Sequence, residues 1–529
     1  MSFKQAVINS QAYNANNMSR TANGALALKS TTNPVLDLFF MAGSLRNKEL
    51  HQYSPSFDAA FTYDKTLTMQ LVLWLRDIRG GAGERNTTRN LLKHMEKNYK
   101  SDVLKMIPVL AEFGRWDDLL IFTDNDCKAL AYSTIVDALR AGNSLAAKWM
   151  PRVYKMKTTN KVLTVGQLQN TFAKPDTKTV KEINHGSVSN QNRKNNNKIA
   201  HELMTLLNMN ERAYRKLLSS LSTTVEQDMC SNKWDTIEYS KLPSVAGSRY
   251  LPAFMKHDET RYRAFLDSLA KGETKINAAA LYPYDVIKNV LSTSYYTQPT
   301  QQQVQLGIAQ WNALTNYMGD NKVIPMVDTS GSMSCTAGDT TMSCMTVAVS
   351  LGLYIADKQE GAFKDLFLNF SNNPQLIQLK GKNIAEKAYD LYRNYSARMF
   401  WDQSTNIVAA FDKILVTAID NSIPQEEMPE KLVVLSDMEF NNYNATWGTT
   451  AYQTIKRKFE QAGYVLPTVV FWNLNARAGN NPVSSTQDNV SMVSGFSPSV
   501  LKAVLSGKTI DPVDTMLAAI DVERYRLFK

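Results

Sequence analysis

The sequence predicts a multidomain chain: an all-α, HEAT-like helical solenoid or ring, followed by an α/β doubly wound, Rossmann-like domain. Three observations carry that prediction. At 529 residues the chain is too long for a single core. Up to about residue 320 apolar residues recur at helical spacing, and beyond it short apolar runs alternate with helical stripes. The expected division is a polar segment over 1–30, a helical domain over 31–320, the α/β domain over 321–510 and a tail over 511–529.

In LTMQLVLWLRDI, the residues Leu67, Leu71, Trp74, Leu75 and Ile78 form one stripe of an amphipathic helix. The glycines of RGGAGER, Gly80, Gly81 and Gly83, end it, and a second stripe opens at Leu91 and Leu92, which predicts a helical hairpin with a tight corner. A glycine-rich turn before a helix can also hold phosphate. No Walker lysine and no preceding strand accompany it, so the structural corner is the stronger expectation. Further helices are expected at about 102–113, 128–141, 199–221 and 259–270, punctuated by Pro108, Pro151, Pro243, Pro252 and Pro283. Paired helices of this kind suggest a stack of hairpins, although no repeat of fixed period emerges. Between about 157 and 198 an Asn-, Thr- and Lys-rich stretch reads as a loop-bearing basic insertion or a segment that orders on a ligand.

After residue 320, KVIPMVD, DLFLNFS, KLVVLSD and PTVVFWN read as strands. Between them lie stripes such as Ile407, Ala410, Phe411, Ile414, Leu415 and Ala418. Alternation of this sort gives a mostly parallel sheet covered on both faces, and right-handed crossovers put the loops after the strands on one rim.

Composition bounds the function. Hydrophobic residues make up 44% and charged residues 20%, as in soluble globular proteins. There is no long apolar run, and MSFKQAVINSQAYNANN has no signal core, so the expectation is a cytoplasmic protein without a membrane span. Cys127, Cys230, Cys335 and Cys344 show no CxxC or Cys/His pairing and are expected as reduced thiols, with Cys230 buried. HExxH, GxSxG and GxxxxGK[ST] are absent, which counts against an enzyme.

The formal charge of +10 is concentrated. From Lys148 to Lys216 there are fourteen Lys and Arg against four acids, an excess equal to that of the whole chain. A positive field of this density suits a polyanion. Lys148, Arg152, Lys155, Lys157, Arg193, Lys194, Lys198, Arg212, Arg215 and Lys216 are the candidate RNA-binding residues. Trp149, Tyr154, Phe172 and Tyr214 lie among them; they could stack on unpaired bases, but core filling is the stronger expectation for each.

In VIPMVDTSGSMS, Asp328, Ser330 and Ser332 follow the end of the first α/β strand, two residues apart, with Gly331 between the serines. One carboxylate and two hydroxyls make half of an octahedral oxygen shell for Mg²⁺ or Mn²⁺, and no soft ligand competes. Thr405, before a helix, and Asp437, at the end of KLVVLSD, are the other donors on the same rim. Met438 and Glu439 are expected to face solvent.

This set resembles the metal-ion-dependent adhesion site (MIDAS) of von Willebrand factor A domains, DxSxS followed by a loop threonine and a loop aspartate, matched by Asp328, Ser330, Ser332, Thr405 and Asp437. The resemblance implies an ion with a position left for a carboxylate of an acidic protein ligand. Asn406 stands where such domains often carry an acid. RDIRGGAGER (76–85), SLAAKWMPR (144–152), YRKLLSSL (214–221) and VEQDMCSNKWDTIEYSKLPSVAG (225–247) resemble an uncharacterised family of viral, phage and plant proteins that end in an A-like domain, from about residue 30 to the C-terminus. The order of helices and A domain is also similar to the TROVE proteins, which include the Ro autoantigen. That resemblance implies a ribonucleoprotein ring binding small structured RNAs or single-stranded RNA ends. The leading reading is thus a non-catalytic RNA-binding ring with a Mg²⁺-dependent docking site. The alternative is a metal-dependent adaptor or assembly protein without RNA, and a nuclease is the weakest reading.

Overall fold

β1 (Met18–Arg20) and β2 (Leu26–Leu28) form an antiparallel pair ahead of the first long helix, Pro34–Ala42. The computed structural model describes residues 16–528 except 47, 156–157, 165–176, 184–187, 223, 279–280, 292–298, 338–341, 371–372, 395–404, 442–449 and 506–510. The described chain forms two compact units, one of residues 1–92 and 233–529, the other of residues 93–232.

The 93–232 unit is built from helices, chiefly Lys100–Met106, Asn125–Arg140, Ser144–Trp149, Val188–Leu207 and Glu211–Leu221. Within the stretch read as a basic insertion, β3 (Thr158–Thr164) and β4 (Thr177–Ile183) pair antiparallel, and its last residues open the helix Val188–Leu207. The single helical segment expected over 199–221 is two helices. Asn208 takes φ +54°, a left-handed stop that asparagine tolerates, and Asn210 caps the next helix by accepting from Ala213 N–H at 2.9 Å.

In the larger unit, helix Lys65–Arg76 is buried from Thr68 to Arg76, not only along the expected stripe. Ala82 N–H donates to Trp74 O at 3.1 Å, Gly81 N–H to Asp77 O at 3.2 Å and Glu84 N–H to Leu75 O at 2.7 Å. These donors fold the RGGAGER corner back on its own helix, which favours the structural corner over an anion cradle. A Cβ at Gly81 would meet Trp74 O at 1.9 Å, so only glycine fits there.

The six-stranded sheet comprises β5 (Val323–Asp328), β6 (Leu366–Phe370), β7 (Gln375–Gln378), β8 (Lys431–Ser436), β9 (Thr468–Asn473) and β10 (Val490–Ser494). Its spatial order is β7-β6-β5-β8-β9-β10, with β7 alone antiparallel. This is the doubly wound order, whose winding reverses between β5 and β8. β5 is buried at every position, as a central parallel strand should be. β6 joins it only from Met326, so Pro325, which lacks an N–H, lies before that ladder begins.

Alternate residues feed two helical layers. Met326, Leu432, Val434, Val469 and Phe471 pack with helices Ile407–Asp420 and Ala451–Gln461. On the other face lies Cys344–Lys358, where a Cβ at Gly352 would come within 2.6 Å of Val327, so glycine permits close helix–strand contact. Residues 511–528 are not a free tail. Helix Pro512–Ile520 packs on β10, Met516 and Ile520 are buried, and Arg524 and Tyr525 bond to Asp77 at the glycine corner.

Candidate functional site

Asp328 ends β5 and Ser436 ends β8, the two central strands at the reversal point, and everything at this rim is arranged around them. Ser436 Oγ donates to Asp328 Oδ2 at 2.6 Å, and Ser330 N–H donates to Oδ1 at 2.9 Å. Ser330 and Ser332 hydroxyls lie 3.0 Å apart in the turn Gly331–Ser334. Asp437 follows at once, its Oδ1 accepting Glu439 N–H at 3.2 Å. Thr405 is joined to the same loop, since Asn441 N–H donates to Thr405 O at 3.1 Å.

Asp328, Ser330, Thr405 and Asp437 are buried and Ser332 is half-buried, so the cluster opens to solvent on the Ser332 side. Burial pushes the pKa of Asp328 up, and the neighbouring Asp437 carboxylate adds to the rise. Burial also raises Asp437, which Glu439 N–H and the nearby Ser332 hydroxyl partly offset. Among the described residues, Asp437 Oδ2 nevertheless accepts no well-formed hydrogen bond, and neither Thr405 Oγ1 nor Thr329 Oγ1 has a partner. Buried polar atoms are rarely left so. Two close carboxylates with unpartnered oxygens beside them are a donor set that a hard divalent cation fits. Three or more His, Cys, Asp or Glu do not gather in metal-binding arrangement among the described residues; this cluster is made largely of hydroxyls.

Of the candidate RNA-binding residues, Lys148, Lys155, Lys194, Lys198, Arg212, Arg215 and Lys216 are exposed, and Arg152 and Arg193 are half-buried. Lys157 lies outside the described residues, as does Phe172. Arg193 donates to Lys155 O and lies over the Tyr154 ring at 5.8 Å. Asn197 clamps the Tyr154 backbone at both N–H and C=O, at 2.8 and 2.9 Å. Tyr154 is 42% exposed and not core; Tyr214 is core, its hydroxyl donating to Pro151 O at 3.1 Å. Trp149 is half-buried under the Arg115 guanidinium, 3.7 Å from its ring centre.

A family model described as "Domain of unknown function (DUF2828)" matches residues 21–122 and 122–323, more than half of the chain. The chain belongs to the DUF2828 family. A second model, "Domain of unknown function (DUF7788)", matches residues 322–525 and begins next to the first residue of β5. The chain is 27% identical over 544 residues to the uncharacterized protein L728 of Acanthamoeba polyphaga mimivirus, covering 96% of this chain and 87% of that protein. Among solved structures, the Ro (RSR) protein of Deinococcus radiodurans covers 93% of this chain and is itself covered completely, at 12% identity and a TM-score of 0.41.

Several residues of this DUF2828 chain depart from the sequence reading. Met438 and Glu439 do not face solvent: they are 1% and 2% exposed. Glu439 accepts from Ala22 N–H at 2.5 Å and Asn480 Nδ2 at 3.2 Å and pairs with Arg477 at 3.1 Å. Its partners come from both ends of the chain, which local pattern does not reveal. Asn406, which stands where A domains often carry an acid, is the N-cap of helix Ile407–Asp420, accepting Ala409 N–H at 3.0 Å. Cys230 is exposed, not buried, because its short helix Val225–Cys230 buries no residue.

Proposed function

We propose that this is a non-catalytic binding protein whose α/β sheet carries an adhesion site of the von Willebrand factor A kind. Asp328, Ser330, Ser332, Thr405 and Asp437 would hold Mg²⁺ or Mn²⁺, directly or through water. The observation that supports this most is a pair of buried oxygens without a partner among the described residues: Asp437 Oδ2, on the carboxylate that acts on Asp328, and Thr405 Oγ1, on a loop tied to that of Asp437 through Asn441. When bound, such an ion offers an open position to a partner's carboxylate. Ser436 and the Ser330 N–H fix the orientation of Asp328, and half-buried Ser332 marks the side from which a ligand enters. No imidazole is among the five side chains to act as general base, which favours binding over hydrolysis. Calorimetric titration of the metal-stripped protein with Mg²⁺ and Mn²⁺ tests the reading: saturable binding lost in Asp328→Ala supports it, and no heat with either ion overturns it.

A second reading, RNA binding by the 93–232 unit, has its own support in the exposed cations Lys194, Lys198, Arg212 and Lys216 and in the Tyr154 ring held beside Arg193. Gel shifts with a structured and a single-stranded RNA test it. A complex that dissolves between low and moderate salt supports it; no complex at low salt with either RNA overturns it.

A further inference from the structure

Cys335 and Cys344 face each other across the two arms of the loop that follows the Ser330–Ser332 turn. Ala337 N–H donates to Met342 O at 2.7 Å and Cys344 N–H to Cys335 O at 2.9 Å, and Thr336 is bridged to Ser343 between them. The arms therefore pair antiparallel with the cysteines directly opposed. Both are free thiols, and their Sγ atoms lie 3.2 Å apart. Opposed residues of an antiparallel pair are about 4.5–5.5 Å apart at Cα, inside the range of about 4.4–6.8 Å that a disulfide spans. Closing the bond shortens the 3.2 Å between the sulfurs to about 2.05 Å.

The two thiols are not equivalent. Cys335 is half-buried, so its sulfur is reachable from solvent, whereas Cys344 is buried at the start of helix Cys344–Lys358. The Cys335 thiol donates to Cys344 Sγ and accepts from Asn475 Nδ2 at 3.3 Å, and the Cys344 thiol in turn donates to Leu474 O at 3.6 Å. The solvent-reachable Cys335 is thus the attacking thiol, and the buried Cys344 the resolving one.

We propose that Cys335 and Cys344 form a reversible thiol–disulfide site that pins the Ser330–Ser332 turn to the head of helix Cys344–Lys358. The oxidant is a small disulfide of the glutathione class. The Cys335 thiolate attacks one of its sulfurs, forming a mixed disulfide and expelling one thiolate. Cys344 then loses its proton to solvent and attacks the Cys335 sulfur, closing the Cys335–Cys344 bond and expelling the second thiolate. Two protein thiols are oxidised and one external disulfide is reduced to two thiols. The closed bond cross-links the two arms beside Ser332, and the Cys344 thiol hydrogen facing Leu474 O is lost. The pair needs no cation at the neighbouring oxygens, so it stands independently of the adhesion-site reading.

The full chain, equilibrated in glutathione buffers from reduced to oxidised, alkylated and mapped by mass spectrometry, tests this. The expected result is a Cys335–Cys344-linked peptide, two hydrogens lighter than the dithiol and restored by dithiothreitol, while Cys127 stays reduced. Hydrogen exchange over residues 331–337 should slow in the oxidised form. Cys335→Ser, verified as folded by circular dichroism, should leave Cys344 unmodified in the same buffers. The proposal is overturned if both thiols remain alkylatable in a buffer that already glutathionylates exposed Cys230, or if Cys335 accumulates as the glutathione mixed disulfide with Cys344 still free.

Discussion

The Ser436 hydroxyl donates to Asp328 Oδ2 at 2.6 Å, bonding the end of one central strand to the end of its neighbour at the reversal point of the sheet. Asp328 and Asp437 are two buried carboxylates close enough that the Asp437 charge raises the Asp328 pKa, and the Asp437 loop is tied to Thr405 through Asn441 N–H.

Asp437→Asn separates a cation's contribution from that of the fold. It removes like-charge repulsion beside Asp328, so the metal-free variant should melt at or above the wild-type temperature. Wild type should gain about 2.7 kcal/mol at a Mg²⁺ concentration one hundred times Kd, and the variant close to nothing. Thermal melts in EDTA and in Mg²⁺ check both; an equal Mg²⁺ shift in the two proteins refutes the assignment of Asp437.

For the basic face, Lys194→Gln and Lys198→Gln remove two exposed cations from the helix Val188–Leu207. If both reach phosphates, the slope of log K against log salt should fall by about 0.7–0.9 for each residue replaced. The folding temperature should stay within a degree or two of wild type, since neither side chain is buried. Filter binding at several salt concentrations gives the slopes.

The strand ends were the legible part of the sequence. Four apolar residues and a proline closing on Asp328, and four apolar residues reaching Ser436 and Asp437, announce buried parallel strands, and chirality then puts their loops on one rim. Thr405 could be placed there because it precedes an apolar stripe. The hidden features share a physical reason, which is that their partners are remote. Glu439 is buried by Ala22, and Asp77 by Arg524 and Tyr525, more than 400 residues away in each case. No periodicity carries such information. The pairing of two cysteines is hidden for the opposite reason: only the antiparallel bridge of Thr336 to Ser343 makes Cys335 and Cys344 opposed neighbours, and spacing alone does not specify that bridge.

Asp77 sets an acid limit on stability. Burial pushes its pKa up, but hydrogen bonds from Arg524, Arg79 N–H and Tyr525 outweigh it and hold the carboxyl below its ordinary value of 3.8. A depressed folded-state pKa means that the stabilisation is complete above 3.8 and is lost as pH falls through the folded value. Asp77→Asn should cost about 1.5–3 kcal/mol at neutral pH, the range for hydrogen bonds to a charged group. Its stability should change less than that of wild type below pH ~4. Urea unfolding at neutral and acid pH measures the difference, and parallel pH curves for the two proteins argue against this role.

Two glycines should respond to alanine with opposite signs. At Gly81 a methyl group would meet Trp74 O at 1.9 Å, and that carbonyl already accepts Ala82 N–H, so backbone must move and the corner that follows the buried helix Lys65–Arg76 must open. Overpacking against side chains costs about 1–3 kcal/mol, and displacing a hydrogen-bonded backbone belongs at or above the top of that range. Gly247 sits inside helix Ser244–His257 with no atom within 4 Å of an added Cβ. There alanine removes unfolded-chain entropy without a clash and should stabilise by about 0.5–1 kcal/mol. Denaturant midpoints of the two variants against wild type decide the matter. If Gly81→Ala proves neutral, the RGGAGER corner is looser than its three backbone hydrogen bonds imply, and the reason for preferring it to an anion cradle is gone.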